Sequence, residues 1–204
     1  TAGRVARRTD SEGHTLEYEY DALDRLVRTT WPDGTHRLQT WDRLDLAKVT
    51  DRLGRSTHYT YDANRRLIEQ QDPLGRYLSY GYSRGGRLQA LTDGKGQTTR
   101  WYYDIQGRLT AKELADGSRT SYAYEAGAGR LRTRTDALGQ VRTHTYALDD
   151  RLIGLSYSGA VHPTPAVGYT WDTEFARLVS MTDGTGATTF GYHQPGALGA
   201  LKAA

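Results

Sequence analysis

The chain of 204 residues contains no cysteine, which excludes disulfide bonds and thiolate metal sites. It has no apolar run approaching the roughly eighteen residues of a membrane helix, and its first ten residues lack the apolar centre of a secretory signal peptide. Lysine plus arginine (27) nearly balance aspartate plus glutamate (24), and the two signs are interspersed. We therefore expect no nucleic-acid partner and no membrane insertion by this segment.

The apolar residues that are present are unusual in kind. There are 15 tyrosines but only two phenylalanines and one methionine, beside 23 glycines. The mean hydropathy is -0.72. A tyrosine ring packs well, but its hydroxyl needs a hydrogen-bond partner or water. The composition therefore predicts a thin, partly hydrated apolar layer rather than a dense core.

Aromatic residues recur with a spacing of 20 to 25 residues, most often 21. The recurring residue is usually the second aromatic of a Tyr-x-Tyr pair, and we call it the marker ring. Marker rings stand at Tyr20, Trp41, Tyr61, Tyr82, Tyr103, Tyr124, Tyr146, Trp171 and Tyr192. An aliphatic residue, here called the aliphatic marker, recurs in step with them at Val5, Leu26, Leu46, Leu67, Leu88, Leu109, Leu131, Leu152 and Leu178. The period defines about nine units.

A glycine lies eight residues beyond the aliphatic marker in all units but one, at Gly13, Gly34, Gly54, Gly75, Gly96, Gly117, Gly139 and Gly186. The distance from this glycine to the next marker ring is constant at seven residues except in the last unit, whereas the ring-to-aliphatic distance varies from five to seven. Segments such as "DPLGR" and "DALGQ" are turn signals, because glycine adopts positive φ and aspartate bonds nearby backbone. Each unit therefore has one turn of fixed length and one of variable length.

Between the turns, segments such as "THYTYD" and "TSYAYE" alternate with period two and are rich in aromatic residues and threonine, which predicts strands and not helices. Each unit is then a β-hairpin, and successive hairpins form an all-β antiparallel meander of about eighteen strands. A sheet of that width should curve. The two rings of a pair share one face. The residues to which we assign the structural repeat are Tyr18, Tyr20, Trp41, Tyr59, Tyr61, Tyr80, Tyr82, Trp101, Tyr103, Tyr122, Tyr124, Tyr146, Tyr169, Trp171 and Tyr192, with Gly13, Gly34, Gly54, Gly75, Gly96, Gly117, Gly139 and Gly186.

The segments "YTYDANRRLIEQQDPLGR" and "WYYDIQGRL" resemble the RHS or YD repeat, and the resemblance extends over roughly residues 3–198. It implies a long β-sheet wound into a hollow spiral shell, as in toxin-complex cocoons, bacterial RHS polymorphic toxins and animal teneurins. In bacterial members the shell encloses a toxic C-terminal polypeptide that an aspartyl autoprotease in a core domain severs. The sequence carries no signature of that core domain, so no protease aspartate is assigned.

The domain expectation is a single repeat array over residues 1–204, with a longer loop near 157–168. The first unit begins inside a repeat and the ninth does not reach its glycine turn, so we expect a segment of a larger shell. Partners implied by the resemblance are the remainder of the shell polypeptide, the enclosed toxin segment and spike proteins of a secretion apparatus. The implied localisation is export from a bacterium, and the lack of cysteine argues against an animal teneurin.

Several residue types that could form chemical sites fit structural roles better. The recurring aspartates fit turns better than catalysis or calcium binding. The histidines lack zinc-ligand spacing, and no serine lies in Gly-x-Ser-x-Gly. The arginines that precede the aliphatic markers could bind glycans or nucleic acid, but pairing with acids or stacking on tyrosine is favoured. These are Arg25, Arg66, Arg87, Arg108, Arg130, Arg151 and Arg177. We assign no catalytic, cofactor or metal site and expect no enzyme.

Two functions remain open from the sequence. The first is a structural shell segment that encapsulates a toxin in an exported bacterial effector. The second is a cell-surface adhesion or carbohydrate-binding module that uses the tyrosine stripe as a stacking platform.

Overall fold

A computed structural model describes residues 3–160 and 162–193. All regular structure in these residues is β-strand, as the alternating pattern predicts. No helix in the described part of the chain is long and apolar enough to cross a membrane. The all-β, antiparallel fold class is confirmed.

The residues group into two compact units. The first unit comprises residues up to Trp101 together with Leu114–Asp116. Its strands are β1 (Arg7–Thr9), β2 (Thr15–Tyr20), β3 (Leu26–Thr30), β4 (His36–Asp42), β5 (Asp45–Thr50), β6 (Ser56–Tyr61), β7 (Leu67–Gln71), β8 (Tyr77–Tyr82), β9 (Leu88–Thr92) and most of β10 (Thr98–Tyr103). Consecutive strands pair antiparallel from β1 to β10.

The second unit comprises Tyr102–Glu113 and the residues from Gly117 onward. Its strands are β11 (Leu109–Glu113), β12 (Arg119–Tyr124), β13 (Leu131–Thr135), β14 (Val141–Tyr146), β15 (Leu152–Ser158), β16 (Val167–Trp171), β17 (Leu178–Asp183) and β18 (Gly186–Thr189). Here too each strand pairs antiparallel with the next, from β11 to β18. Both units are therefore built from the same meander of hairpins.

A β-bulge lies immediately before the marker ring in most hairpins. In the β12–β13 pair, Tyr124 lies opposite Leu131 while Ala123 lies opposite Thr133, so Arg132 is the extra residue. The β6–β7 pair has the same shift, with Tyr61 opposite Leu67. In the seven hairpins with this bulge, the marker ring lies directly opposite the aliphatic marker that follows it in the chain.

One turn geometry closes many hairpins at both ends. In the Asp72–Arg76 turn, the Asp72 amide donates to the Arg76 carbonyl and the Gly75 amide donates to the Asp72 carbonyl. Asp72 Oδ1 also accepts hydrogen bonds from the amides of Leu74 and Arg76. Gly75 has φ of 78°, a conformation that glycine adopts without steric cost. The Asp62–Arg66 turn at the ring end repeats these bonds with Arg65 in the left-handed position.

A two-residue turn joins β4 and β5 and places a non-glycine residue at positive φ. Asp42 pairs with Asp45, so Arg43 and Leu44 form the turn, and Arg43 has φ of 51°. Replacing Arg43 by glycine is expected to raise the free energy of unfolding by about 0.5 kcal/mol, because relief of the strained φ exceeds the added backbone entropy of the unfolded chain. Urea unfolding followed by tryptophan fluorescence measures this, and a loss of stability would contradict it.

The sheet has almost no buried interior. Among the described residues only Ala111 is buried, at 0% exposure, and no polar side chain is buried. The strand residues are mostly half-buried, in agreement with the predicted thin, partly hydrated layer. Stability must therefore come from contacts between neighbouring strands and from polar bonds at their ends.

The irregular loop is shorter than the predicted 157–168, because β15 extends to Ser158 and β16 begins at Val167. Position 161 lies outside the described residues. Pro165 packs against the β17–β18 turn so closely that a Cβ at Gly184 would lie 2.4 Å from the proline ring. Glycine at 184 thus permits the loop to rest against this turn.

Candidate functional site

The marker rings form hydrogen bonds between successive hairpins. In eight units the polar atom of the ring donates to the backbone carbonyl of the preceding aliphatic marker, and Tyr124 Oη lies 2.8 Å from the Leu109 carbonyl. Backbone pairing between β11 and β12 starts at Ala111, so the Leu109 carbonyl lies beyond the paired residues. The Tyr124 hydroxyl gives this carbonyl a hydrogen-bond partner. The other pairs of this kind are Tyr20–Val5, Trp41–Leu26, Tyr61–Leu46, Tyr82–Leu67, Tyr146–Leu131, Trp171–Leu152 and Tyr192–Leu178.

In seven units the arginine before the aliphatic marker stacks on the marker ring of the following hairpin. The Arg108 guanidinium carbon lies 4.6 Å from the Tyr124 ring centroid. Within its own turn, Arg108 Nε donates to Asp104 Oδ2 at 2.7 Å. The stacked pairs of this kind also include Arg4–Tyr20, Arg25–Trp41, Arg66–Tyr82, Arg130–Tyr146, Arg151–Trp171 and Arg177–Tyr192.

Several of these arginines also reach the turn of the following hairpin. Arg66 Nη1 donates to the Ser83 carbonyl at 3.1 Å, and Arg130 and Arg151 donate in the same way to Ala147 and Asp172. One guanidinium thus contacts its own turn aspartate, the next ring and the next turn. We call this set of contacts, with the ring–carbonyl bond, the clasp.

The arginine holds the turn aspartate in its ionised form. A hydrogen bond from the Arg66 side chain and another from the Arg66 amide lower the pKa of Asp62 from its usual value. The Arg25 side chain likewise lowers the pKa of Asp21 in another clasp. In the glycine turns at the other end of the strands, Arg55 and Arg76 lower the pKa of Asp51 and Asp72 in the same way. The clasp is therefore an electrostatic as well as an aromatic unit.

The lowered pKa values predict the pH dependence of stability. A carboxylate whose pKa is lower in the folded than in the unfolded chain stabilises the fold above the unfolded value, and this contribution is lost as the pH falls below about 4. We expect the urea midpoint to begin to fall as the pH drops below about 6.5, where His144 gains a proton more readily in the unfolded chain, and to fall more steeply below pH 4 as the aspartates are protonated. An NMR titration of the Asp62 carboxyl carbon gives the direct check, and an unshifted Asp62 would contradict the assignment.

The predicted repeat residues occupy two regions of each unit. The rings and aliphatic markers meet in clasps at one end of the strands, and the glycines lie in turns at the other. The first rings of the pairs, such as Tyr59 and Tyr122, lie on the same face as the marker rings but outside the clasps. The described residues contain no group of three or more potential metal ligands.

The sequence did not reveal all of the polar contacts. On the opposite face of the second unit, Arg119 stacks on Tyr102 at 4.8 Å and pairs with Glu113 at 3.1 Å. In the first unit Arg65 pairs with Asp45 at 2.9 Å. These contacts join residues whose spacing follows no repeated rule, so only the strand register could have indicated them.

The comparison with protein families identifies the array. A family model described as RHS Repeat matches residues 1–36, 41–77, 66–98 and 82–119, which together cover more than half of the chain. The protein is therefore a hairpin-repeat protein, and the chain belongs to the RHS repeat family.

The similar curated proteins are bacterial toxins and nucleases by name. The chain is 29% identical over 162 residues to "Double-stranded DNA deaminase toxin A" of Burkholderia cenocepacia, a match over 79% of this chain and 10% of that protein. It is 33% identical over 88 residues to "Probable deoxyribonuclease RhsB" of Dickeya dadantii, over 43% of this chain and 6% of that protein. The chain spans about a tenth or less of the length of these relatives.

Solved structures share the fold. The structure titled "Crystal Structure of TcdB2-TccC3-TEV" superimposes with a TM-score of 0.75 and 18% identity, over 90% of this chain and 11% of that one. The structure titled "Structure of Photorhabdus luminescens Tc holotoxin pore, Mutation TccC3-D651A" gives a TM-score of 0.52 and 14% identity, over 89% of this chain and 12% of that one. At these identities the likeness concerns the fold.

Proposed function

We propose that this chain is a section of the wall of a hollow RHS-repeat shell that encloses a toxic C-terminal polypeptide of the same parent protein. The parent is an exported bacterial effector. The observation that carries the proposal is a meander of hairpins joined by clasps in which only Ala111 is buried among the described residues. A layer with so little buried interior suits a wall between two spaces better than a self-contained domain of two packed layers.

The wall itself performs no reaction in this proposal. The deaminase and deoxyribonuclease named for the relatives would correspond, in the parent of this chain, to a toxin outside these residues. The direct partners are then the rest of the shell and the enclosed toxin segment, and spike proteins of a secretion apparatus would carry the assembled effector. The core autoprotease would also lie outside this segment.

The test uses the parent protein. Electron microscopy of the parent should show a closed body with internal density, and its C-terminal polypeptide should resist added protease. The double substitution Tyr61→Ala and Tyr82→Ala removes two clasp rings, so it should make that polypeptide cleavable.

The matched control replaces Tyr59 and Tyr80 by alanine, because these rings lie in the same strands but outside the clasps. The control should leave protection largely intact. A solid body, or a C-terminal polypeptide cleaved equally in the unaltered parent, would overturn the proposal.

A carbohydrate-binding role is the second candidate. It is favoured by the first rings, such as Tyr59 and Tyr122, whose hydroxyls form no hydrogen bond with the described residues. In that case the chain should bind glycans in solution, and replacing the first rings by Tyr59→Ala with Tyr80→Ala should abolish binding. The marker rings are less suited to it because an arginine already covers one face of rings such as Tyr124.

A further inference from the structure

One cross-strand position departs from the repeat in a way that the wall function does not explain. One member of the pair is the third residue after an aliphatic marker. The other is the fourth residue before the next marker ring and lies directly opposite it. Both are on the face of the sheet that carries the rings. In most hairpins this pair carries at most one cation. The pairs are Arg8–Leu16, Thr29–Arg37, Val49–Thr57, Gln70–Leu78, Leu91–Thr99, Lys112–Thr120, Leu155–Val167 and Met181–Thr188.

In the β13–β14 pair the position carries two cations, because Arg134 lies directly opposite Arg142. The register continues the row on both sides, with Tyr122 opposite Arg134 and Tyr157 opposite Arg142. Two guanidinium groups thus lie side by side between two tyrosines. Like charges directly opposite each other destabilise a sheet, so the pair requires a compensating partner.

No described residue supplies that partner. Neither arginine forms an ion pair with the described part of the chain, and Arg142 Nε is buried without a hydrogen-bond acceptor. Arg28, another arginine with a buried, unbonded Nε, lies near Glu19, 3.6 Å from its Nη1. The Arg134–Arg142 pair therefore offers guanidinium donors for which the described residues supply no acceptor.

The surroundings form a small pocket. Arg134, Arg142 and Tyr157 line an open cavity of about 110 Å³ together with Gln140 and Thr164. Hydroxyl and amide groups beside two guanidinium groups suit an oxyanion.

The charge of the pocket selects a monoanion. Asp136 also lines it, but Asp136 Oδ1 is occupied by the amides of Leu138 and Gln140. Burial and the charge of Arg142 lower the pKa of His144 on the same strand face, so His144 adds no charge at neutral pH. Two arginines and one aspartate leave one net positive charge, which a carboxylate neutralises and a phosphate dianion would reverse.

We infer that the Arg134–Arg142 pair is a carboxylate-binding site that receives an aspartate or glutamate side chain of a polypeptide lying on the ring face of the second unit. The two guanidinium groups bind the carboxylate, and the Tyr122 and Tyr157 rings flank it. The inference does not depend on enclosure of a toxin, because it concerns only the ligand chemistry of this face.

The experiment measures binding of the synthetic peptide acetyl-Gly-Glu-Gly-amide to the 204-residue chain by the NMR signals of the arginine Nε–H groups. We expect the Arg134 and Arg142 signals to shift and saturate, and Arg142→Gln to weaken binding by about tenfold. The glutamine analogue of the peptide should not bind. Inorganic phosphate should bind more weakly than the peptide.

The matched control is Arg37→Gln, because Arg37 occupies the same register position opposite a neutral threonine. It should leave peptide binding unchanged. Arg142→Gln should also raise the melting temperature by about 1–3 °C at low salt, since it removes the repulsion, whereas Arg37→Gln should not.

Three results would overturn the inference. They are Arg134 and Arg142 signals that do not respond to the peptide, binding that Arg37→Gln weakens as much as Arg142→Gln, and phosphate binding tighter than the glutamate peptide.

Discussion

Gly159→Ala is expected to lower the free energy of unfolding by about 3 kcal/mol, the largest effect that we predict for a single methyl group. Gly159 has φ of 75°, and a Cβ there would lie 2.7 Å from the Gly139 carbonyl oxygen. The obstacle is backbone rather than a movable side chain. The β13–β14 turn and the end of β15 would have to separate.

The matched control is Gly127→Ala in the turn after β12. A Cβ at Gly127 meets no atom within 4 Å, and its φ is not positive. Its effect should stay within about 0.5 kcal/mol. Urea unfolding followed by the fluorescence of Trp171 compares the two variants, and equal midpoints would show that the contact at Gly159 does not exist.

Removing a clasp ring should have the second-largest effect. Tyr124→Ala is expected to lower the free energy of unfolding by about 2–3 kcal/mol, because it removes a half-buried ring, its stacking with Arg108 and its bond to the Leu109 carbonyl. Tyr124→Phe removes only the hydroxyl and should cost about 1 kcal/mol.

Tyr122 provides the control within the same strand. Its ring lies on the same face, and its hydroxyl forms no hydrogen bond with the described residues. Tyr122→Phe should therefore be nearly neutral. If Tyr122→Phe and Tyr124→Phe cost the same, the ring–carbonyl bond does not contribute to stability. A double-mutant cycle with Arg108→Gln isolates the stacking contribution, expected at about 0.5–1 kcal/mol.

The strands and turns could be predicted from the sequence because they depend on local signals. Alternation with period two placed β6 and β12, and Asp-x-x-Gly placed the turn at Gly75. The marker interval also predicted that each unit is a hairpin. The register that places Tyr124 opposite Leu131 was not predicted and comes from the structure.

The clasps could not be predicted in detail because they depend on the bulge. The bulge at Ala123/Tyr124 determines where backbone pairing is interrupted. The hydrogen-bond partner of Tyr124 is the carbonyl of Leu109, which belongs to the preceding hairpin and lies 15 residues earlier in the chain. The sequence suggested that arginines pair with acids or stack on rings, but it did not show that Arg66 does both and also reaches the Ser83 carbonyl.

The Arg134–Arg142 pair could not be recognised from the sequence alone, because it depends on the register of the two opposing strands. Both residues are ordinary arginines among many. Their equivalence to Val49–Thr57 or Leu91–Thr99 becomes visible once the opposing strands are aligned.

The left-handed conformations at Asp24 and Asp150 could not be predicted either, because another residue replaces the expected glycine there.

The scarcity of buried side chains has an evolutionary consequence. With Ala111 the one buried residue among those described, few side chains must fit a distant partner. Stability is then a sum over adjacent units, as in other linear repeat proteins. Duplication or deletion of the coding segment for one unit would therefore leave the remaining units able to pack against each other. The number of units in such arrays can then change during evolution, while each hairpin retains its ring, aliphatic residue and turn glycine.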